Sequence, residues 1–96
     1  MPNVNVSFQI LPIVKEEKIY ETVDKVIKYI DKSGVKYEVG AMETTMEGDF
    51  DKLMDIIKKS QQICTKEGAQ RIISIVKIDY KQEGVTIDEK VKKYRK

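Results

Sequence analysis

Apolar and polar residues alternate from Val4 to Ile10, with Val4, Val6, Phe8 and Ile10 on one face and Asn5, Ser7 and Gln9 on the other. A period of two predicts a strand, and Pro12, which cannot donate to a ladder, should end it. From about Glu16 the period becomes helical: Ile19, Val23, Val26, Ile27 and Ile30 form one stripe, with Lys and Asp opposite. Gly34 suits the left-handed residue that closes such a helix. Alternation resumes in Val35, Tyr37 and Val39 against Lys36 and Glu38, then Gly40-Ala41-Met42-Glu43 reads as a hairpin loop and Thr44–Glu47 as the returning short strand. Gly48-Asp49 marks a turn, and Asp49 is a good N-cap for a second helix starting near Phe50. Its apolar stripe is Leu53, Ile56, Ile57, Ser60 and Cys64, closed by Gly68. Residues 71–80 are a β-branched run and predict a strand. After Gly84, Thr86 or Asp88 can cap a last short helix whose Ile87, Val91 and Tyr94 lie near one face.

The order β-α-β-β-α-β with an extra C-terminal helix predicts one α+β domain over residues 1–96. The expected fold is the split βαβ or ferredoxin-like two-layer sandwich, a four-stranded antiparallel sheet with two helices on one face. Right-handed crossovers restrict the strand order, and strands 1 and 4 are expected to be split. Asn5, Ser7, Gln9 and Leu11 then point away from the helices, beside Lys36, Glu38 and Gly40, and Glu43, Thr45 and Glu47. On the fourth strand Ile72, Ser74, Val76 and Ile78 should face inward, leaving Arg71, Ile73, Ile75, Lys77 and Asp79 outside. Two Ile beside a band of short polar groups are too apolar for open solvent and too polar for a core. Sheets stacked between subunits around a polar pocket satisfy both conditions. The terminal helix has little core left to join: it covers a sheet edge, docks on a neighbour or stays a solvated tail.

Charge and composition narrow the chemistry. Eighteen Lys and Arg face sixteen Asp and Glu, and the surplus of +2 is local, because residues 87–96 carry +3 and the remainder −1. Without a basic stripe across the body, nucleic acid is not an expected partner. The chain has no His and one Cys, Cys64, which excludes His-based acid–base catalysis, Ser-His-Asp and Cys-His triads, and His or Cys₄ zinc sites. No metal, cofactor or catalytic residue is therefore expected. No apolar run approaches the roughly 18–20 residues that span a bilayer, the N-terminus lacks a secretory pattern, and a lone Cys fits a reducing compartment, so a cytoplasmic location is expected. Cys64 on the buried stripe reads as an inert small hydrophobe, and Met42, Met46 and Met54 as packing. Paired carboxylates are the only catalytic option. All of Glu16, Glu17, Glu38, Glu43, Glu47, Asp49 and Asp51 except Glu38 and Glu47 fall in loops or helix starts, where acidic groups cap helices and complement the dipole.

Three stretches taken together resemble the small thiamine-binding protein family: Lys36-Tyr37-Glu38-Val39-Gly40; Thr44-Thr45-Met46-Glu47-Gly48; and Ile78-Asp79-Tyr80 followed by Thr86-Ile87-Asp88-Glu89-Lys90-Val91. The likeness covers nearly the whole chain. It implies a ferredoxin-like fold, a homotetramer built as a dimer of dimers with packed sheets, and a ligand of the thiamine or hydroxymethylpyrimidine type. Where the family carries a Gly-Pro-Met hairpin this chain has Gly40-Ala41-Met42, which costs loop rigidity. Thiamine offers an aminopyrimidine, a donor beside an acceptor, and a thiazolium cation that a carboxylate or aromatic face stabilises. Candidate ligand contacts are accordingly Asn5, Ser7, Gln9, Tyr37, Glu38, Thr45 and Glu47. Each has a plainer reading. Asn5, Ser7 and Gln9 can hydrate an exposed sheet, Glu38 and Glu47 can pair with Lys36, Lys77 or Arg71, Tyr37 can pack in the core with its hydroxyl at the rim, and Thr45 can be ordinary strand chemistry. The expected function is non-catalytic binding of a small molecule between subunits. The alternatives are a structural or regulatory oligomer without a ligand, and an enzyme of thiamine metabolism using Glu38 or Glu47 as proton acceptor.

Overall fold

A computed structural model describes residues 2–95; Met1 and Lys96, the last cation of the basic tail, lie outside the described residues. Strand β1 (Asn3–Pro12) is the hub of the sheet, pairing antiparallel with β3 (Thr44–Asp49) on one side and β4 (Ile72–Asp79) on the other. Strand β2 (Lys36–Val39) pairs antiparallel with β3 and completes the order β2-β3-β1-β4. Helix α1 (Glu16–Ser33) joins β1 to β2, and α2 (Phe50–Lys66) joins β3 to β4. The α+β ferredoxin-like sandwich with an added C-terminal helix is thus the observed architecture.

One expectation of topology is corrected. Strands β1 and β4 are not split; they are hydrogen-bonded neighbours from Asn5↔Asp79 to Pro12↔Ile72. What the crossovers split are the pairs β1/β2, with β3 between them, and β3/β4, with β1 between them. Each helix carries the chain over one intervening strand, so the two halves interleave and their longest strands meet.

The core forms where the alternation of β1 meets the stripes of both helices: Val4, Val6, Phe8 and Ile10 pack with Val26, Ile30, Met46, Leu53, Ile56, Ile57 and Cys64. The predicted stripe of α2 is buried along its whole length, and Ser60 turns its hydroxyl onto Ile56 O at 2.7 Å, which satisfies it within the helix. The Asp49 carboxylate accepts from Lys52 N–H at 3.2 Å, so one orphan amide of the first turn is met as expected. Gly34 closes α1 at φ 82°, a left-handed conformation that a Cβ would penalise. Val39, Ile78 and Met42, expected to pack inward, stay outside the core. They are 53%, 45% and 76% exposed, because they lie on the edge strands β2 and β4 and in the hairpin between β2 and β3, where neither helix covers them. Ile72 and Val76 do pack inward, and Ser74 donates to Gln61 of α2 at 2.9 Å, which supports the expected facing of β4 up to Val76.

After β4 the chain turns back over the sheet face opposite α1 and α2. Val85 N–H donates to Asn3 O and Asn3 Nδ2 donates to Val85 O, both at 2.9 Å. The short helix α3 (Ile87–Val91) follows, started by Thr86 and not Asp88. Thr86 Oγ1 accepts from Glu89 N–H while the Glu89 carboxylate accepts from Thr86 N–H, each at 3.1 Å. Ile87 is buried, but Tyr94, in the 3₁₀ turn Lys92–Tyr94, is 72% exposed, so the apolar face expected for this helix ends at Val91.

Truncating Leu53, which is fully buried in the core, should cost about 2–5 kcal/mol. Urea unfolding of Leu53→Ala measures this; a loss well under 1 kcal/mol would mean that α2 does not pack the sheet as described.

Candidate ligand-binding site

Strand register arranges the outer face in transverse rows. One row runs Lys36–Glu47–Asn5–Asp79 across all four strands, and the next runs Glu38–Thr45–Ser7–Lys77. Beyond them lie the pairs Gln9–Ile75 and Leu11–Ile73 on β1 and β4 alone. The α3 segment sits on the first row. Glu47 Oε1 accepts from Ile87 N–H at 2.6 Å, Lys36 pairs with Asp88 at 3.1 Å, and Lys90 reaches both Asn5 Oδ1, at 2.9 Å, and Asp79. The second row is left as the floor of a cavity of about 340 Å³, closed on one side by Ile87, Lys90 and Val91 and on another by Arg95.

Glu43 enters this cavity from the hairpin after β2. The turn is tight: Gly40 N–H donates to Glu43 O at 2.8 Å, and a Cβ at position 40 would also lie 2.8 Å from that oxygen, so only glycine fits without rearrangement. Glu43 Oε2 accepts from the Ser7 hydroxyl and lies 3.3 Å from Lys77 Nζ. The Ser7 hydrogen bond first, and Lys77 second, hold the Glu43 carboxyl below its ordinary pKa. Ser7 has one hydroxyl hydrogen and gives it to Glu43, so in the 3.1 Å contact between Ser7 Oγ and Thr45 Oγ1 the donor is Thr45. The chain Thr45→Ser7→Glu43 therefore leaves Thr45 with lone pairs for an incoming N–H or O–H group. Three carboxylates line the cavity, each with a cation: Glu43 with Lys77, Asp79 with Lys90, and Glu38 with Arg95 at 3.1 Å.

Of the seven residues singled out by sequence, the fold brings Asn5, Ser7, Glu38 and Thr45 to this cavity. Asn5, 4% exposed, uses its oxygen on Lys90 and its amide on Val85 O at 3.4 Å, so it anchors the returning tail. Glu47 is taken up by Ile87, also an anchor. Gln9 stands further along β1, beside a groove between α1 and the hairpin. Tyr37 packs toward the core and donates to Asp31 at 2.9 Å, which raises its pKa. The partners expected for Glu38 and Glu47 are replaced by Arg95 and a backbone amide, because the tail folds over this face. Sequence reasoning placed Glu43 among the capping loop acids and missed its place in the cavity. Its position next to Thr45's strand, on the outer parity, was the available signal.

Residues 6–95 match a family described as thiamine-binding protein. A UPF0045 protein of Clostridium perfringens is 66% identical over 95 residues, covering 99% of this chain and 100% of that protein. Among solved structures, a domain of unknown function from Bacillus cereus is 50% identical with a TM-score of 0.92, over 98% of this chain and 91% of that one. A Thermotoga maritima protein provisionally described as acting in thiamine biosynthesis or salvage is 41% identical with a TM-score of 0.91, over 98% of this chain and 100% of that one.

The cavity's hydrogen-bond chain has a pH signature. A carboxyl whose folded pKa is depressed adds stability above its ordinary value and loses it as pH falls through the folded value. Ser7→Ala should return the Glu43 carboxyl toward the ordinary range in a carbon-detected NMR titration. The part of its destabilisation due to Glu43 should be present at neutral pH and fade in acid. An unmoved Glu43 titration would show that Ser7 is not its principal partner.

Proposed function

Because this chain belongs to the thiamine-binding protein family, we propose that it is a non-catalytic cytoplasmic protein that binds thiamine or its hydroxymethylpyrimidine part over the Glu38–Thr45–Ser7–Lys77 row. The observation that carries this reading is the directed chain from Thr45 through Ser7 to Glu43. An aminopyrimidine presents an N–H donor beside a ring acceptor. Thr45 supplies lone pairs for the donor, and Lys77 or Lys90 supplies an N–H for the acceptor. The thiazolium cation finds Glu38, whose side chain is 35% exposed and so mostly withdrawn from water, on the cavity floor. The hydroxyl that stands beside a carboxylate here, Ser7 on Glu43, faces a group held below its ordinary pKa by that bond and by Lys77, and so weak a base favours holding the ligand over transforming it.

A second copy of the chain is the proposed lid. At about 340 Å³ the cavity is near the small end of the usual range of about 300–1,000 Å³ for ligand sites. The neighbouring Leu11, Ile73 and Ile75 are 38%, 44% and 52% exposed on the part of the face that α3 does not reach. Stacking a second sheet there buries these side chains and deepens the pocket, and a dimer of such dimers gives a homotetramer.

Isothermal titration with thiamine, and separately with hydroxymethylpyrimidine, should give saturable heat. No heat with either at high micromolar concentration would sink the binding reading and leave the ligand-free oligomer. Light scattering should give about four times the chain mass of 11.1 kDa. Ile75→Lys should split the assembly and leave the fold intact by circular dichroism; an intact tetramer would show that this face is not the interface.

A further inference from the structure

Beyond Val91 the tail has little apolar hold, with Tyr94 72% exposed. Among the described residues, the 3.1 Å bond from Arg95 Nη1 to Glu38 Oε1 is the polar contact that ties residues 92–95 to the sheet. That bond sits at a junction. The cavity of about 340 Å³ and a second one of about 510 Å³ meet there, sharing Glu38, Glu43, Thr45 and Arg95 in their linings. Glu43 and Asp79 are each held by a lysine, so Arg95 is the guanidinium that answers the third carboxylate. Its side chain is 61% exposed, and exposed pairs of this kind are weak and readily exchanged.

Resting on the binding reading above, we infer that Arg95 is an internal competitor for the ligand's positive charge and a determinant of which ligands bind. A tethered guanidinium is present at high effective concentration beside Glu38. A cationic ligand gains Glu38 only by releasing Arg95, and the swing of Arg95 off Glu38 joins the two cavities where the ligand enters. A neutral ligand has no claim on Glu38 and leaves the pair in place. The tail therefore weakens the site for cations by the strength of one exposed ion pair and leaves the affinity for neutral rings unchanged.

The test is isothermal titration of wild type, Arg95→Gln, Glu38→Gln and the double variant with thiamine and with hydroxymethylpyrimidine, at a pH where the pyrimidine is neutral. Arg95→Gln should bind thiamine roughly two- to fivefold tighter, the range set by exposed ion pairs. It should bind the neutral pyrimidine as wild type does, and the gain should vanish in the Glu38→Gln background. The thermal midpoint of Arg95→Gln monitors the fold. Thiamine binding that is weakened or unmoved by Arg95→Gln, a gain shared equally by both ligands, or a gain that survives Glu38→Gln overturns the competitor role and leaves the binding reading standing. If thiamine binds neither wild type nor Arg95→Gln while the pyrimidine binds, this inference falls and the binding reading stands; if neither ligand binds, both fall.

Discussion

Everything distinctive about the outer face depends on one polar clamp, the row Lys36–Glu47–Asn5–Asp79 holding residues 85–90. A two-layer sandwich has helices for one sheet face only, and the other must be covered by something else or remain wet. Here a tail too short for an apolar core of its own is retained by hydrogen bonds to groups already fixed by strand pairing. Asn5 is the centre of that clamp, buried with both ends of its amide in use. A buried polar group that loses its partner costs more than a made hydrogen bond contributes, so the tail and Asn5 hold each other in place. Where the clamp ends, the cavity begins.

The cavity sets a polar floor beside apolar walls from Ile78, Ile87 and Val91, and it is not strongly charged. Its three carboxylates and three cations neutralise one another through pairs that are mostly exposed, so no single pair adds much to stability. Weak pairs make a site that rearranges easily. The one tightly organised part is the Thr45–Ser7–Glu43 chain, whose direction follows from a single hydrogen on Ser7 and an ionised acceptor at its end. The apolar strip of Leu11, Ile73 and Ile75 borders this polar floor, and the proposed second copy would meet both at once.

Much of the fold could be read along the chain because period and parity are local properties. The stripe from Leu53 to Cys64, the Asp49 cap and the left-handed Gly34 needed only neighbours within a few residues, and the structure has them as expected. The same parity put Asn5, Ser7, Glu38 and Thr45 on one face before any contact was known. The adjacency of β1 and β4 was misjudged because helical crossovers constrain handedness while leaving open which strand is skipped. Glu43 was left out of the candidate site because a loop acid was read as a cap, although its parity beside Thr45 put it on the outer face.

The sequence by itself determined the elements, their order, the inward faces of β1 and α2 and the absence of histidine chemistry, since all of these follow from spacing and residue type. Only the tertiary structure decided what each outer-face side chain does. Glu47 became an anchor because Ile87, forty residues on, presents its amide there. Glu38 met Arg95, fifty-seven residues away, and not a neighbouring lysine. Asn5 was enclosed by a segment eighty residues later in the chain. Such pairings are set by where a returning segment comes to rest, and that depends on the sum of many weak contacts across the sheet, which no local pattern contains.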